Sequence, residues 1–180
     1  GTLTGLGAGS SLIAQINAGQ DLVLSASGAF AFANPLAGGT AYAVTILTQP
    51  VGQTCVVTNG SGVVLTSNVS NVAIACTPNS YTLSAEVSGL TGSGLTLENG
   101  KDSIAVAANG KIAFPTTVPF GTAYSVSATV QPAKPTQLCV VGNGTTPAAG
   151  TMGLATTVPV ACTLYKEITL AAKLTSTDVQ

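Results

Sequence analysis

Four cysteines are the most reactive groups in this 180-residue sequence, and they come as two pairs, Cys55 with Cys76 and Cys139 with Cys162. An even number of cysteines at matched separations is the arithmetic of disulfides, one for each pair. Zinc is the competing chemistry, but no CxxC spacing occurs and the chain holds no His to complete a tetrahedral shell. Two disulfides call for an oxidising compartment, the cell exterior or a periplasm. Closing loops of this length is expected to stabilise each fold by about 3 kcal/mol.

The lack of His also removes every Ser-His and Cys-His nucleophile. All five Lys, the first of them Lys101, lie in the second half of the chain, so a Ser-Lys pair is confined there. Neither an enzyme nor a cofactor is expected. Glu98 and Asp102, flanking "NGK", are the acidic pair with the most useful spacing. As a general acid and base, or as calcium ligands, they are poorly supported, because the matching place earlier in the chain offers only Asp21 beside Gln20 and Asn17. Asp21 and Asp102 read better as turn residues that accept backbone hydrogen bonds. Asn59, Asn68 and Asn143 open formal glycosylation sequons. The NG dipeptides at Asn59 and Asn143 are explained more economically as hairpin turns that tolerate positive φ. Residues 1–79 contain no Lys, which excludes an internal Lys-Asn isopeptide link in that stretch.

Charged residues make up 6% of the chain, against about 25% in ordinary domains. Before residue 80 the only charged side chain is Asp21, and the formal net charge of the whole is −1. A near-neutral surface of Thr, Ser, Asn, Gln and Gly does little to hold molecules apart, so self-association is permitted. Five scattered Lys and no Arg argue against nucleic acid as a partner. No run reaches the roughly 18 apolar residues of a membrane-spanning helix, and "GTLTGL" does not read as a signal peptide.

Landmarks recur in the same order along the chain. "GTAY" begins at Gly39 and again at Gly121, "QP" at Gln49 and Gln131, "NG" at Asn59 and Asn143, and "ACT" at Ala75 and Ala161, while "GL" stands at Gly5-Leu6 and Gly89-Leu90. This order is a tandem duplication, giving domains at 1–79 and 80–163 and a C-terminal extension at 164–180. Within each unit the pattern has period two and is bounded by Gly, Asn and Pro, with Tyr42, Val44 and Ile46 on one face. Strands are expected near 11–16, 21–26, 29–33, 41–48, 54–58, 62–66 and 70–76, with counterparts in the second unit. About seven short strands in roughly 85 residues read as an antiparallel β-sandwich of immunoglobulin type. The expected fold class is therefore all-β: two tandem immunoglobulin-like antiparallel β-sandwiches, one disulfide each, plus a C-terminal donor-type strand. Cys76 shares parity with Val72 and Ile74, and Cys162 with Val158 and Val160, so the sulfurs point inward. Pro159 has the opposite parity and no N–H to donate, which places its strand at a sheet edge.

The unit resembles the tandem immunoglobulin-like repeats of exported bacterial surface proteins and lipoproteins. Gly89-Leu90, Asn99-Gly100, Asp102, Asn109-Gly110, Gly121, Tyr124, Gln131-Pro132, Cys139, Asn143-Gly144 and Cys162 carry the resemblance. It implies a structural or adhesive role at the cell surface and brings no catalytic residues with it.

The two ends of the chain complement each other. Aligning Ile168 with Tyr81 puts "ITLAAKLT" over "YTLSAEVS", so Ile168, Leu170, Ala172 and Leu174 lie on the face matching Tyr81, Leu83, Ala85 and Val87. Because Gly5 matches Gly89, Gly1 matches Ala85, and nothing in residues 1–79 matches Tyr81 or Leu83. Each vacated apolar site costs about 2–5 kcal/mol from a total stability of only about 5–15 kcal/mol, and an unpaired sheet edge is a template for another strand. The expectation is a head-to-tail homopolymer. Ile168, Leu170, Ala172 and Leu174 form the donor strand, and the acceptor is built around Gly1 and Leu3 of the next molecule. Folding back onto the same molecule is disfavoured, since residues 163–167 span at most about 17 Å and a domain is about 30 Å across. Such a mechanism is similar to that of chaperone–usher pilins, with the donor at the C-terminus. The plainer alternative is an excerpt of a longer array, against which stands "STDVQ" where a "GL" turn would continue the repeat. From a different class comes an adhesin or binding module that meets a host or surface ligand, for which Tyr165 is the one aromatic outside the core pattern. Both readings place the protein outside the cell or on its surface after export through the periplasm.

Overall fold

The structure is a computed structural model that describes residues 1–142 and 148–165. Every regular element among these residues is a β-strand. In the first repeat these are β1 (Thr2–Thr4), β2 (Leu12–Ile16), β3 (Gln20–Leu24), β4 (Gly28–Ala29), β5 (Ala41–Thr48), β6 (Gln53–Thr58), β7 (Ser61–Val63) and β8 (Ala73–Pro78). They build two sheets, ordered β4-β1-β8-β6 and β3-β2-β5-β7. Alternation explains the core between them: Leu12 and Ala14 of β2, Ile74 and Cys76 of β8, Leu3 and Cys55 are all buried, while their neighbours in sequence face outward or are half-buried.

The second repeat contributes β9 (Ser80–Tyr81), β10 (Leu83–Ser88), β11 (Leu95–Asn99), β12 (Asp102–Val106), β13 (Gly110–Ala113), β14 (Val118–Pro119), β15 (Ala123–Val130), β16 (Gln137–Val141), β17 (Ala148–Thr151) and β18 (Thr156–Leu164). Its sheets, β13-β10-β18-β16 and β12-β11-β15-β17, copy those of the first repeat strand for strand. The copy extends to a register shift between β2 and β5 that recurs between β11 and β15. One pairing has no counterpart among the described residues of the first repeat: β9 with β14, where Tyr81 stands opposite Val118 and Ser80 opposite Pro119. By packing, Gly1–Leu83, Thr116–Tyr124 and Ala149–Thr156 form one compact unit, and the remaining described residues form the other.

The recurring sequence landmarks are structural clasps. Gln49 Oε1 accepts from Cys55 N at 2.8 Å and its Nε2 donates to Cys55 O at 2.9 Å, occupying the backbone of edge strand β6; Gln131 does the same for Cys139 of β16. Gln53, buried, accepts from Gly7 N and donates to Gly5 O, each at 2.8 Å. Gln137 accepts from Thr91 N and Gly92 N and donates to Gly89 O. The glycine of each "GL" turn has positive φ, 74° at Gly5 and 70° at Gly89, and a Cβ there would strike the carbonyl oxygen of Cys76 or Cys162. Hairpin β2–β3 turns through Asn17 and Ala18, whose φ angles are 52° and 51°, and Asn17 ties the turn to β5 through Ala43 N and Ala41 O.

Both disulfides form as the spacing predicts, Cys55 with Cys76 and Cys139 with Cys162, and all four cysteines are buried. Each bridge joins directly opposed residues of neighbouring strands in one sheet, with Cα atoms 3.9 Å apart. Two expectations are corrected. β18, which contains Pro159, lies between β10 and β16 rather than at an edge. Pro159 is tolerated because β16 ends at Val141, opposite Val160, so the proline falls just past the ladder and only its carbonyl is used, by Gly142 N at 2.8 Å. Asp21 stands opposite Gln15 in the β2–β3 pair and accepts from that side chain's Nε2 at 2.6 Å, in place of a backbone N–H. No helix among the described residues is long and apolar enough to cross a membrane.

Candidate functional site

The first repeat carries an open groove where the second carries a buried half-strand. β1 starts with a complete ladder: the Gly1 amine donates to Phe30 O, Phe30 N donates to Gly1 O, and Thr2 N donates to Val72 O, each at 2.9 Å. In the second repeat the equivalent strand continues upstream through Ser84, opposite Ala113, and then Leu83, before β9 pairs with β14. In the first repeat no described strand lies alongside residues 31–37, the ungapped counterpart of 113–119. The space left is a groove of about 410 Å³ running from Gly1 between residues 30–36 and 68–72.

The second repeat acts as an internal control for what fills this space. Leu83 is fully buried, and Phe114, Val118 and Met152 of the same repeat are 3%, 8% and 1% exposed. Their counterparts in the first repeat, Phe32, Leu36 and Val64, all line the groove and are only half-buried. The Val64–Met152 equivalence rests on matching bonds: Val64 pairs with Gly39 and Thr40 as Met152 pairs with Gly121 and Thr122. Phe30 and Phe32 meet edge to face at 6.1 Å, and no described strand covers the half-buried pair. No charged side chain lines the groove; Asn34, Tyr42, Asn68 and Ser70 supply its polar side chains. Its chemistry is that of an apolar strand receptor: a hydrophobic floor beside a segment, residues 31–37, that pairs with no described strand.

Two further contacts mark how the chain leaves each repeat. Asn79 N donates to Gly52 O at 2.8 Å as the first repeat hands over to β9, and Tyr165 N donates to Thr136 O at 3.1 Å at the matching exit of the second. Within the first unit the Phe120 ring meets Tyr81 edge-on at 6.3 Å and lies over buried Gly52, where an added Cβ would strike it. The counterpart of Phe120 is Gly38 and that of Gly52 is Thr136, and both counterparts are exposed.

The residues singled out from the sequence are distributed as follows. Gly1 stands at one end of the groove, whereas Leu3 is 1% exposed in the core and fills its own register. Ile168, Leu170, Ala172 and Leu174 lie outside the described residues, as does Asn143. Glu98 is opposite Ser103 and Asp102 opposite Asn99, and no cluster of three metal-ligating side chains occurs among the described residues. Asn59 has the positive φ expected of its turn, 54°, and its side-chain amide donates to Asn71 O. Sequence reasoning missed Leu36, Val64, Val69 and Val72 as groove residues. The ungapped match of 31–42 to 113–124 was the signal available for the first of them. No family model, curated protein or solved structure matches this chain.

Proposed function

We propose that the chain is a structural, non-catalytic subunit of an extracellular filament or surface fibre, in which the C-terminal segment of one copy enters the first repeat of the next. The observation that carries this reading is the open apolar groove beside Gly1, lined by residues whose counterparts are buried in the second repeat. The occupant is matched in sequence: "ITLAAKLT" follows the alternation of "YTLSAEVS", the stretch that fills the corresponding space. A groove in the first repeat that takes the C-terminal segment of another copy makes a heterologous contact, which propagates into an open polymer. The immunoglobulin-like description of each sandwich and a surface location after export belong to the same proposal, supported by the paired sheets and the two disulfides. A second reading, a surface adhesin, has exposed Tyr165 in its favour, and clear hits of a monomeric preparation on a glycan array would support it.

Electron microscopy of three proteins tests the filament. The chain as given should form threads. Deleting residues 164–180 should leave particles of single-molecule size. Placing "NSYTLS", the sequence of residues 79–84, ahead of Gly1 should fill the groove from within and block assembly equally. Threads that persist without residues 164–180 would show that the tail is not the connector.

A further inference from the structure

We infer that the groove grips an entering strand on two flanks at once, antiparallel along residues 30–32 and parallel along residues 70–72, and that residues 70–72 become sheet only when that strand is there. The inference rests on the filament reading, whose occupant is the C-terminal segment of another copy, and it concerns the receiving side alone.

Both flanks of the groove stop short of their counterparts at the same end. Matched through Cys76 and Cys162, β8 begins at Ala73, whereas β18 begins three residues earlier, at Thr156, the counterpart of Ser70. In the ungapped match of 28–42 to 110–124, β4 ends at Ala29, whereas β13 runs on to Ala113, the counterpart of Ala31. In the second repeat the strand between these flanks is β10, neighbour to both β13 and β18, and it starts at Leu83, ahead of the counterpart of Gly1. Ser70 is exposed, and Thr156 is half-buried. The two flanks shorten together where the middle strand does, as ladders must when nothing lies alongside to close them.

Ladder alternation names the receiving atoms. Thr2 pairs in parallel with Ala73, and its N–H donates to Val72 O. The second repeat keeps this alignment, since the Ser88 hydroxyl donates to Val160 O as that of Thr4 donates to Ile74 O. One step further along this flank, the groups that face the same side are Val72 N and Ser70 O. Asn71 O faces the opposite side, where it accepts from Asn59 Nδ2 at 3.0 Å, so the segment is held from behind. On the other flank Gly1 and Phe30 exchange both backbone bonds, and the next residue to offer its N–H and C=O to that side is Phe32. Phe32, Ser70 and Val72 all line the groove. Successive residues of a strand turn their backbone groups to opposite sides, so two consecutive residues of an entering strand reach both flanks, one at Phe32 and the next at Ser70 and Val72. Such a site selects an extended main chain over a helix or a small apolar molecule.

Amide hydrogen exchange, quenched and read residue by residue by NMR, tests this in three proteins. The first lacks residues 164–180. The second lacks them too and carries "NSYTLS" ahead of Gly1, a strand whose register is set by its covalent join. The third is the full chain in filaments. Measured against Ile74, whose place beside β1 is the same in all three, exchange at Phe32 and Val72 should be slower by about tenfold or more in the second and third proteins than in the first. Slowing at Phe32 without Val72, or at neither, in the second protein overturns the grip on two flanks and leaves the filament reading standing. Slowing at both in the second protein establishes the grip; filaments that then slow neither, or a full chain that forms no filaments, overturn the filament reading instead.

Discussion

Gln137 shows how much a single side chain in this fold holds. It is 2% exposed, and its amide satisfies the backbone of Thr91, Gly92 and Gly89 at the turn that follows β10. Gln137→Leu keeps the volume but leaves these groups without their partner, each in a setting where a lost hydrogen bond is dear. A loss of about 1–3 kcal/mol is expected, read as a lower urea midpoint for the second repeat. The "QP..Q.C" spacing was legible in the sequence as a landmark. Its meaning was not, because Gln53 and Gln137 reach turns some 45 residues away, at Gly7 and Gly92, which no local pattern reveals.

At the scale of elements, the repeats differ by one short strand pair, and the consequence falls on the side chains that pair would cover. Phe114 is 3% exposed, and Phe114→Ala should cost about 3–5 kcal/mol. Phe32, the same residue in the same place but half-buried, should cost less than half as much in the tail-deleted protein, where its groove is open. With "NSYTLS" placed ahead of Gly1 the two losses should converge. Urea denaturation of the four variants checks this; equal losses in the open form would mean that the groove is not open in solution. β1 was legible in the sequence only as a truncated first strand, through the match of Gly1 to Ala85. Three residues are too few for an alternation to announce them, and the strand exists through parallel pairing of Thr2, Leu3 and Thr4 with Ala73, Ile74 and Ala75.

For the molecule as a whole, two terms dominate: the disulfides and the scarcity of charge. Replacing Cys139 and Cys162 together by Ser should lower stability by about 3 kcal/mol, and thiol reduction of the unsubstituted protein should shift the thermal midpoint in the same sense. A net charge of −1 and a groove without charged side chains leave little for salt to screen. Filament yield should therefore vary less than about twofold between roughly 50 and 500 mM salt. A steep dependence, measured by sedimentation, would instead point to charge pairing by Lys166, Glu167 or Lys173.

The duplication, the all-β character and the cysteine pairing were determined by the sequence alone. These properties are local or repeated: alternation sets which face of a strand is apolar, and matched spacings name the cysteine partners whatever the path between them. Tertiary structure decided the rest. Only the ladder shows that β18 is interior despite Pro159, because strand neighbours are chosen by the whole sheet rather than by one residue's lost donor. Only packing shows that Leu3 closes its own core while Phe32, Leu36 and Val64 stay half-covered. Burial is a property of what lies opposite a side chain, and opposite these three the folded chain places an open groove.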